Sequence, residues 1–340
     1  MTEFGSSYDP GVQVDSDDML SLHRNENLFV GRDWTVDAAQ QLVEHAHISS
    51  YPEATSKDLR EAIAELYGVG AENVFVRNGA DEVLSDLLGI LRPRFQRVST
   101  LEVCFKVYNM LAERMGFQQD TLPGHSFETG RIEAPEFRGL ALVDSPNAIS
   151  GSSIVRDDLF ALAADQQDSF LIWDNVYGEY ADETLPPALP KNVALVRSFS
   201  KFYGLAGLRI GYCIADAELV GAMMACKDAF NVNSLGQVMA VEALRRRDHF
   251  LGLRQQLVTG RRALVDGLEG FGFQVLPSDS VAVLAKHPEH TAEFLQAQLL
   301  ERRVAVRRFA DPLTADWIRI TAAPQPVLDR FLAALHDFLG

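Results

Sequence analysis

Short apolar β runs alternate with helix-patterned stretches up to about residue 231, and this alternation restricts the fold more than any other feature of the chain. The β runs lie at 73–76, 97–103, 140–143, 170–173, 193–196 and 209–214. Between them, helical spacing is plain at 80–91, where Val83, Leu84, Leu87, Leu88 and Leu91 recur on one face. A further amphipathic helix is predicted at 56–68 from Leu59, Ala62, Ile63 and Leu66, with Ser56 as its cap and Gly68 as its stop. Such alternation predicts an α/β fold with a mostly parallel central sheet covered on both faces. Beyond Asn231 the pattern changes to long helical stretches at 250–268 and 326–339 with short β runs at 281–284, 304–306 and 317–321. This reads as a smaller α+β C-terminal domain.

The 340 residues suit two domains, here an N-terminal arm at 1–30, a large domain at 31–235 and a small one at 236–340. Residues 1 to about 20 lack periodicity and read as a flexible arm. With 47% hydrophobic and 23% charged residues, a large core can form. Lys and Arg number 31 against 47 Asp and Glu, a formal charge of −16 that repels nucleic-acid backbones and anionic lipid. The arginine runs at 245–247, 261, 302 and 307 are expected to be solvated helix faces. Cys104, Cys213 and Cys226 form no CxxC pair and no His cluster has ligand spacing, so neither a zinc site nor a disulfide framework is expected. The acidic, polar N-terminus is unlike a secretory signal, and no apolar run reaches the ~18 residues of a membrane span. A cytoplasmic protein is expected. GVGAEN at 68–73 begins like a dinucleotide fingerprint but lacks its last glycine and precedes a strand.

Ligands of open parallel sheets bind beyond the carboxyl ends of strands, and three points there carry polar residues. In RNGADE at 77–82, Gly79 permits an unusual turn while the amides of Ala80 and Asp81 open a helix, which makes a phosphate seat or an ordinary capped helix. Asp174 follows FLIW and precedes Tyr177; it could pair with a protonated ring nitrogen or cap a turn. In SFSKFYGLAGLRIGY at 198–212, Ser198, Ser200 and Arg209 could bind phosphate and Lys201 could act as an amine nucleophile, or Lys201 could be an exposed loop residue. A phosphate seat, a carboxylate and an amine on separate strand ends are what pyridoxal phosphate requires.

From Leu22 to Thr321 the chain resembles the fold-type I pyridoxal-phosphate-dependent aminotransferases of class I/II, with the layout of the histidinol-phosphate aminotransferases. The matching stretches are HRNEN at 23–27, YPEATSKDLREAIAELYGV at 51–69, RNGADE, DNVY at 174–177 and FSKFYGLAGLRIGY. The resemblance implies a Schiff base on Lys201, a pyridine nitrogen kept protonated by Asp174, and Tyr177 as donor to the phenolic oxygen. It assigns the cofactor phosphate to Ser198, Ser200, Arg209 and the amides of Ala80 and Asp81. Phe105 would stack on the ring, and Tyr51 would reach the cofactor phosphate of a neighbouring subunit in a homodimer. Arg319 would clamp a substrate carboxylate, with Asn27 in the same pocket. Where the family reads NPNNPTG this chain has SPNAISG at 145–151. Ala148 thus replaces the asparagine that donates to the phenolic oxygen and Ile149 replaces the next proline; Asn147 could swing in as substitute. Asn175 stands where the family often has Glu, and VCF replaces PTY at 103–105. The activity implied is transamination of an amino acid or amino-alcohol phosphate with a keto-acid acceptor. Decarboxylation, elimination or cyclisation on the same apparatus is the alternative, and a non-catalytic cofactor-binding protein the third reading.

Overall fold

A computed structural model describes residues 18–122, 126–129, 131, 137–165, 167–181, 185 and 188–340. Residues 1–17 of the expected arm lie outside the described residues. A seven-stranded sheet runs in the order Val74–Arg77, Gly211–Ile214, Val193–Ser198, Ser169–Asp174, Gly139–Asp144, Arg97–Thr100, Gln118–Thr121. Gly211–Ile214 is antiparallel to both its neighbours, and the remaining pairs are parallel. Alternate residues of each strand point to opposite faces. Leu140, Leu142, Phe170, Ile172 and Val196 enter one apolar core, and Ala141, Val143, Leu171, Trp173 and Leu195 enter the other. Both faces are therefore dry, which is why these strands read as continuous apolar runs.

The edge strand Gln118–Thr121 was not visible in the sequence pattern. Its four residues are polar and largely exposed, so backbone pairing with Arg97–Thr100 makes it a strand. At Ser56 the expected side-chain cap is absent, because the residue is left-handed (φ 50°). The Glu53 carboxylate caps instead, accepting the Lys57 N–H at 2.7 Å.

A second, antiparallel sheet runs Arg307–Arg308, Ile318–Thr321, Ala282–Lys286, Gln274–Val275. Helices Arg247–Gly270, Ala292–Glu301 and Gln325–Leu339 pack on it through Leu264, Leu295, Leu299, Leu328 and Phe331. The boundary expected at 235/236 falls inside helix Ser234–Arg245, whose Met239, Ala240 and Ala243 join the core of the large sheet. From Leu20 onward the N-terminal segment is fixed. Leu20–Ser21 pairs in parallel with Val304–Ala305, and Leu22 accepts the Thr321 N–H at 2.9 Å. This carries Arg24 and Asn25 to the junction between the two sheets.

The packing makes the contrast between central and edge strands measurable. Leu171→Ala should cost about 2–5 kcal/mol in urea unfolding, whereas Thr121→Ala on the exposed edge should stay within about 0.5 kcal/mol.

Candidate active site

The parallel strands end together, and their last residues stand at the floor of a cavity of about 390 Å³ between the two sheets. Ala80, Asp81, Phe105, Asp174, Tyr177, Ser198, Ser200, Lys201, Arg209 and Arg319, all expected from sequence, line it.

One end is a cradle of backbone amides. Gly79 has φ 98°, and a Cβ there would lie 2.6 Å from Arg209 Nη2; a Cβ on Gly211 would lie 2.3 Å from the Ala80 nitrogen. Two glycines thus let the start of helix Ala80–Leu91 meet the Arg209 loop, where amides and helix dipole favour an anion. Arg209 is itself left-handed (φ 54°) and reaches the Asp81 carboxylate at 3.3 Å. Ser198 Oγ donates to the Ile210 carbonyl and accepts the Ser200 N–H at 3.0 Å.

Asp174 is buried, accepting the Tyr108 hydroxyl at 2.7 Å and the Val176 N–H at 3.1 Å. Burial pushes its carboxyl up to about 6, against the pull of those two hydrogen bonds. Burial, reinforced by the neighbouring carboxylates, holds the Tyr108 hydroxyl well above its ordinary range, so it remains a donor. Beside Asp174 in register stands a second buried carboxylate, Asp144. It accepts the Ala148 N–H at 2.8 Å and the Asn147 amide at 3.2 Å, and burial, with Asp174 nearby, pushes it up to about 7. Lys201 Nζ lies 5.6 Å from the centre of the Tyr177 ring.

Opposite the floor, Arg319 Nη1 donates to the Ala148 carbonyl at 2.7 Å and Nη2 to the His23 carbonyl at 3.1 Å. The Phe309 ring packs beside the Arg307 and Arg319 guanidinium groups, and Arg24, Lys106 and Arg308 also line the cavity. The arginine run at 307 is therefore not a solvated helix face: it is a strand paired with Ile318–Thr321, with Arg307 opposite Arg319, and both its arginines line the cavity.

Three expected residues are not in the cavity wall. Asn147 spends its amide on the Val103 carbonyl and Asp144, and its carbonyl on the Ile149 and Ser150 N–H groups; it is not available to replace the missing asparagine. Asn27 donates to the Phe202 carbonyl and accepts from the Phe29 N–H. Tyr51 is 81% exposed and stacks on Phe230. Sequence reasoning missed Tyr108, Asp144, Asn25 and the Arg24–Arg307–Arg308 set. Arg24 and Asn25 sat inside HRNEN, a stretch already singled out, and Tyr108 lies three residues beyond Phe105, whereas nothing local marked Arg307 and Arg308 as facing a cavity.

Residues 17–335 match the family described as aminotransferase class I and II. A histidinol-phosphate aminotransferase of Rippkaea orientalis is 32% identical over 337 residues, 98% of this chain and 96% of that protein. Histidinol-phosphate aminotransferase 2 of Rhizobium meliloti is 32% identical over 340 residues, with coverage of 98% and 96%. The Sinorhizobium meliloti histidinol-phosphate aminotransferase in complex with pyridoxal-5'-phosphate shares the fold at a TM-score of 0.81 and 24% identity, over 94% of this chain and 90% of that one. So does the L-threonine-O-3-phosphate decarboxylase of Porphyromonas gingivalis, at 0.81 and 23%, over 94% and 99%. The chain belongs to the class I and II aminotransferases, with the fold-type I architecture. It is a pyridoxal-phosphate-dependent transaminase, and the Gly79 cradle, the buried carboxylate and the lysine amine in one cavity fit that cofactor.

Asp144 and Asp174 both bind protons more tightly when folded than an ordinary carboxylate does, so their contribution to stability is full below pH 4 and lost as pH rises through 6 to 7. In thermal melts of the apoprotein, Asp144→Asn should therefore gain stability relative to the parent on going from pH 5 to pH 8.

Proposed function

We propose that this aminotransferase takes as donor a small amine bearing a phosphate, an amino-alcohol phosphate of the histidinol phosphate kind, and passes the amino group to a keto acid. The observation that carries this is the charge of the cavity. Seven of its lining side chains are Lys or Arg and two are carboxylates, in a chain of net charge −16. A surplus of cations there calls for more anionic charge than one cofactor phosphate brings.

Pyridoxal phosphate, when bound, supplies an electron sink for the carbanion left at the substrate's amine-bearing carbon. The amides of Ala80 and Asp81, with Ser198, Ser200 and Arg209, would hold its phosphate. Asp174 would keep a proton on the ring nitrogen, its own carboxylate fixed by Tyr108, and Phe105 would pack on the ring face. Lys201 would take and return the proton of the substrate carbon. Arg319 would fork the carboxylate of the keto-acid half-reaction, and Arg307 and Arg308 would receive the phosphate of the donor. Asn27 and Asn147 would act from behind the wall. Exposed Tyr51, stacked on Phe230, would complete the phosphate site of a second copy of the chain in a homodimer. A reducing cytoplasmic setting accords with Cys104, Cys213 and Cys226, all free thiols.

Titration of the holoprotein with histidinol phosphate should bleach the cofactor's visible band, histidinol without phosphate should not, and Lys201→Ala should abolish the response. Arg307→Ala and Arg308→Ala should each lower kcat/KM for the phosphorylated donor about 10- to 100-fold, the worth of a charged hydrogen bond of about 1.5–3 kcal/mol. Release of carbon dioxide from a phosphorylated amino acid without keto product would replace this reading with decarboxylation. Sedimentation should give a dimer.

A further inference from the structure

Asn25 is 2% exposed and borders the cavity beside Tyr177. It is left-handed (φ 54°), and its backbone N–H donates to Thr321 Oγ1 at 3.2 Å. Its side-chain nitrogen lies 3.3 Å from the Ala148 carbonyl oxygen and 3.1 Å from the Tyr177 hydroxyl. These contacts fix the amide's orientation. A peptide carbonyl can only accept, so the group facing Ala148 must be the NH2; turned by 180°, Oδ1 would set two acceptors against each other with no proton between them. One amide proton thus goes to Ala148 and the other to Tyr177. Having accepted it, the phenol oxygen keeps its single proton for another partner, and no hydrogen bond to a described residue uses that proton.

We infer that Asn25 is the positioning residue of this site: it commits the Tyr177 hydroxyl to donate into the cavity, the donor to the phenolic oxygen that remains where Ala148 replaces the asparagine. The inference rests on the cofactor reading above. Asn147, the substitute suggested by sequence, is held by four backbone and side-chain partners as described. Asn25 Oδ1 is buried and has no partner among the described residues. The charged groups around the pair are Lys201, near the Tyr177 ring, and Arg319, which shares the Ala148 carbonyl. The Arg319 guanidinium has no acceptor, and in the holoprotein Lys201 Nζ is engaged by the cofactor, so neither takes the Tyr177 proton.

The test is the pH titration of the visible band of the bound cofactor in the parent, Asn25→Ala, Tyr177→Phe and the double variant. Loss of a donor to the phenolic oxygen raises the midpoint. Asn25→Ala should raise it by about one unit, a tenfold change in proton affinity, Tyr177→Phe by at least as much, and the double variant should match Tyr177→Phe alone. Asn25→Gly, at ease in the left-handed backbone, guards against strain introduced by the alanine. It removes the same amide and should raise the midpoint as far as the alanine does. A parental midpoint in Asn25→Ala or Asn25→Gly, or a full additional shift from Asn25→Ala in the Tyr177→Phe background, overturns the inference. Absence of any band in the parent would instead defeat the cofactor reading beneath it.

Discussion

The hydrogen-bonded burial of the Asp174 carboxylate is the constraint on which the rest of the site depends. A lone carboxylate in a dry interior protonates or finds donors, and the Tyr108 hydroxyl and the Val176 N–H are those donors here. Tyr108 can serve because its helix, Val107–Arg114, packs on the same face as the strand interior. Parallel pairing with Gly139–Asp144 then sets Asp144 beside Asp174, and Asp144 in turn captures the loop at 145–151 through the Ala148 N–H. One buried charge on a strand end thus propagates order into the loop that departs most from the family pattern.

The Ala148 peptide is the joint between the two sheets. Its N–H is held from the large sheet by Asp144, and its carbonyl collects Arg319 from the small sheet and Asn25 from the N-terminal segment. That segment is kept in place by parallel pairing at Leu20–Ser21 and by Thr321. Asn25, 123 residues from Ala148 along the chain, reaches both the Ala148 carbonyl and the Tyr177 hydroxyl. Part of the cationic wall follows from the same arrangement, since Arg307 stands directly opposite Arg319 on the adjacent strand.

Much of this was legible beforehand for physical reasons. Strands such as 140–143 and 170–173 are dry on both faces, so they announce themselves as apolar runs. Gly79 and the Lys201 segment have local chemistry that few other contexts demand. Gln118–Thr121 was hidden because an exposed edge needs no apolar pattern. The Ser56 cap failed because a cap depends on backbone dihedrals that residue identity does not fix. Arg307 and Arg308 were misplaced because a charge run has the same composition whether it faces water or an anion.

The sequence by itself determined the alternating α/β order, the dry central strands, the glycines that admit an anion to a helix start, and the lysine and aspartate beyond strand ends, since each is encoded within a few neighbouring residues. The tertiary structure alone decided which polar groups meet: Tyr108 with Asp174, Asn25 with Tyr177, and three arginines with one cavity. Such encounters join segments far apart in the chain, and hydrogen bonds act over about 3 Å, a proximity that only the folded arrangement of sheets and helices creates.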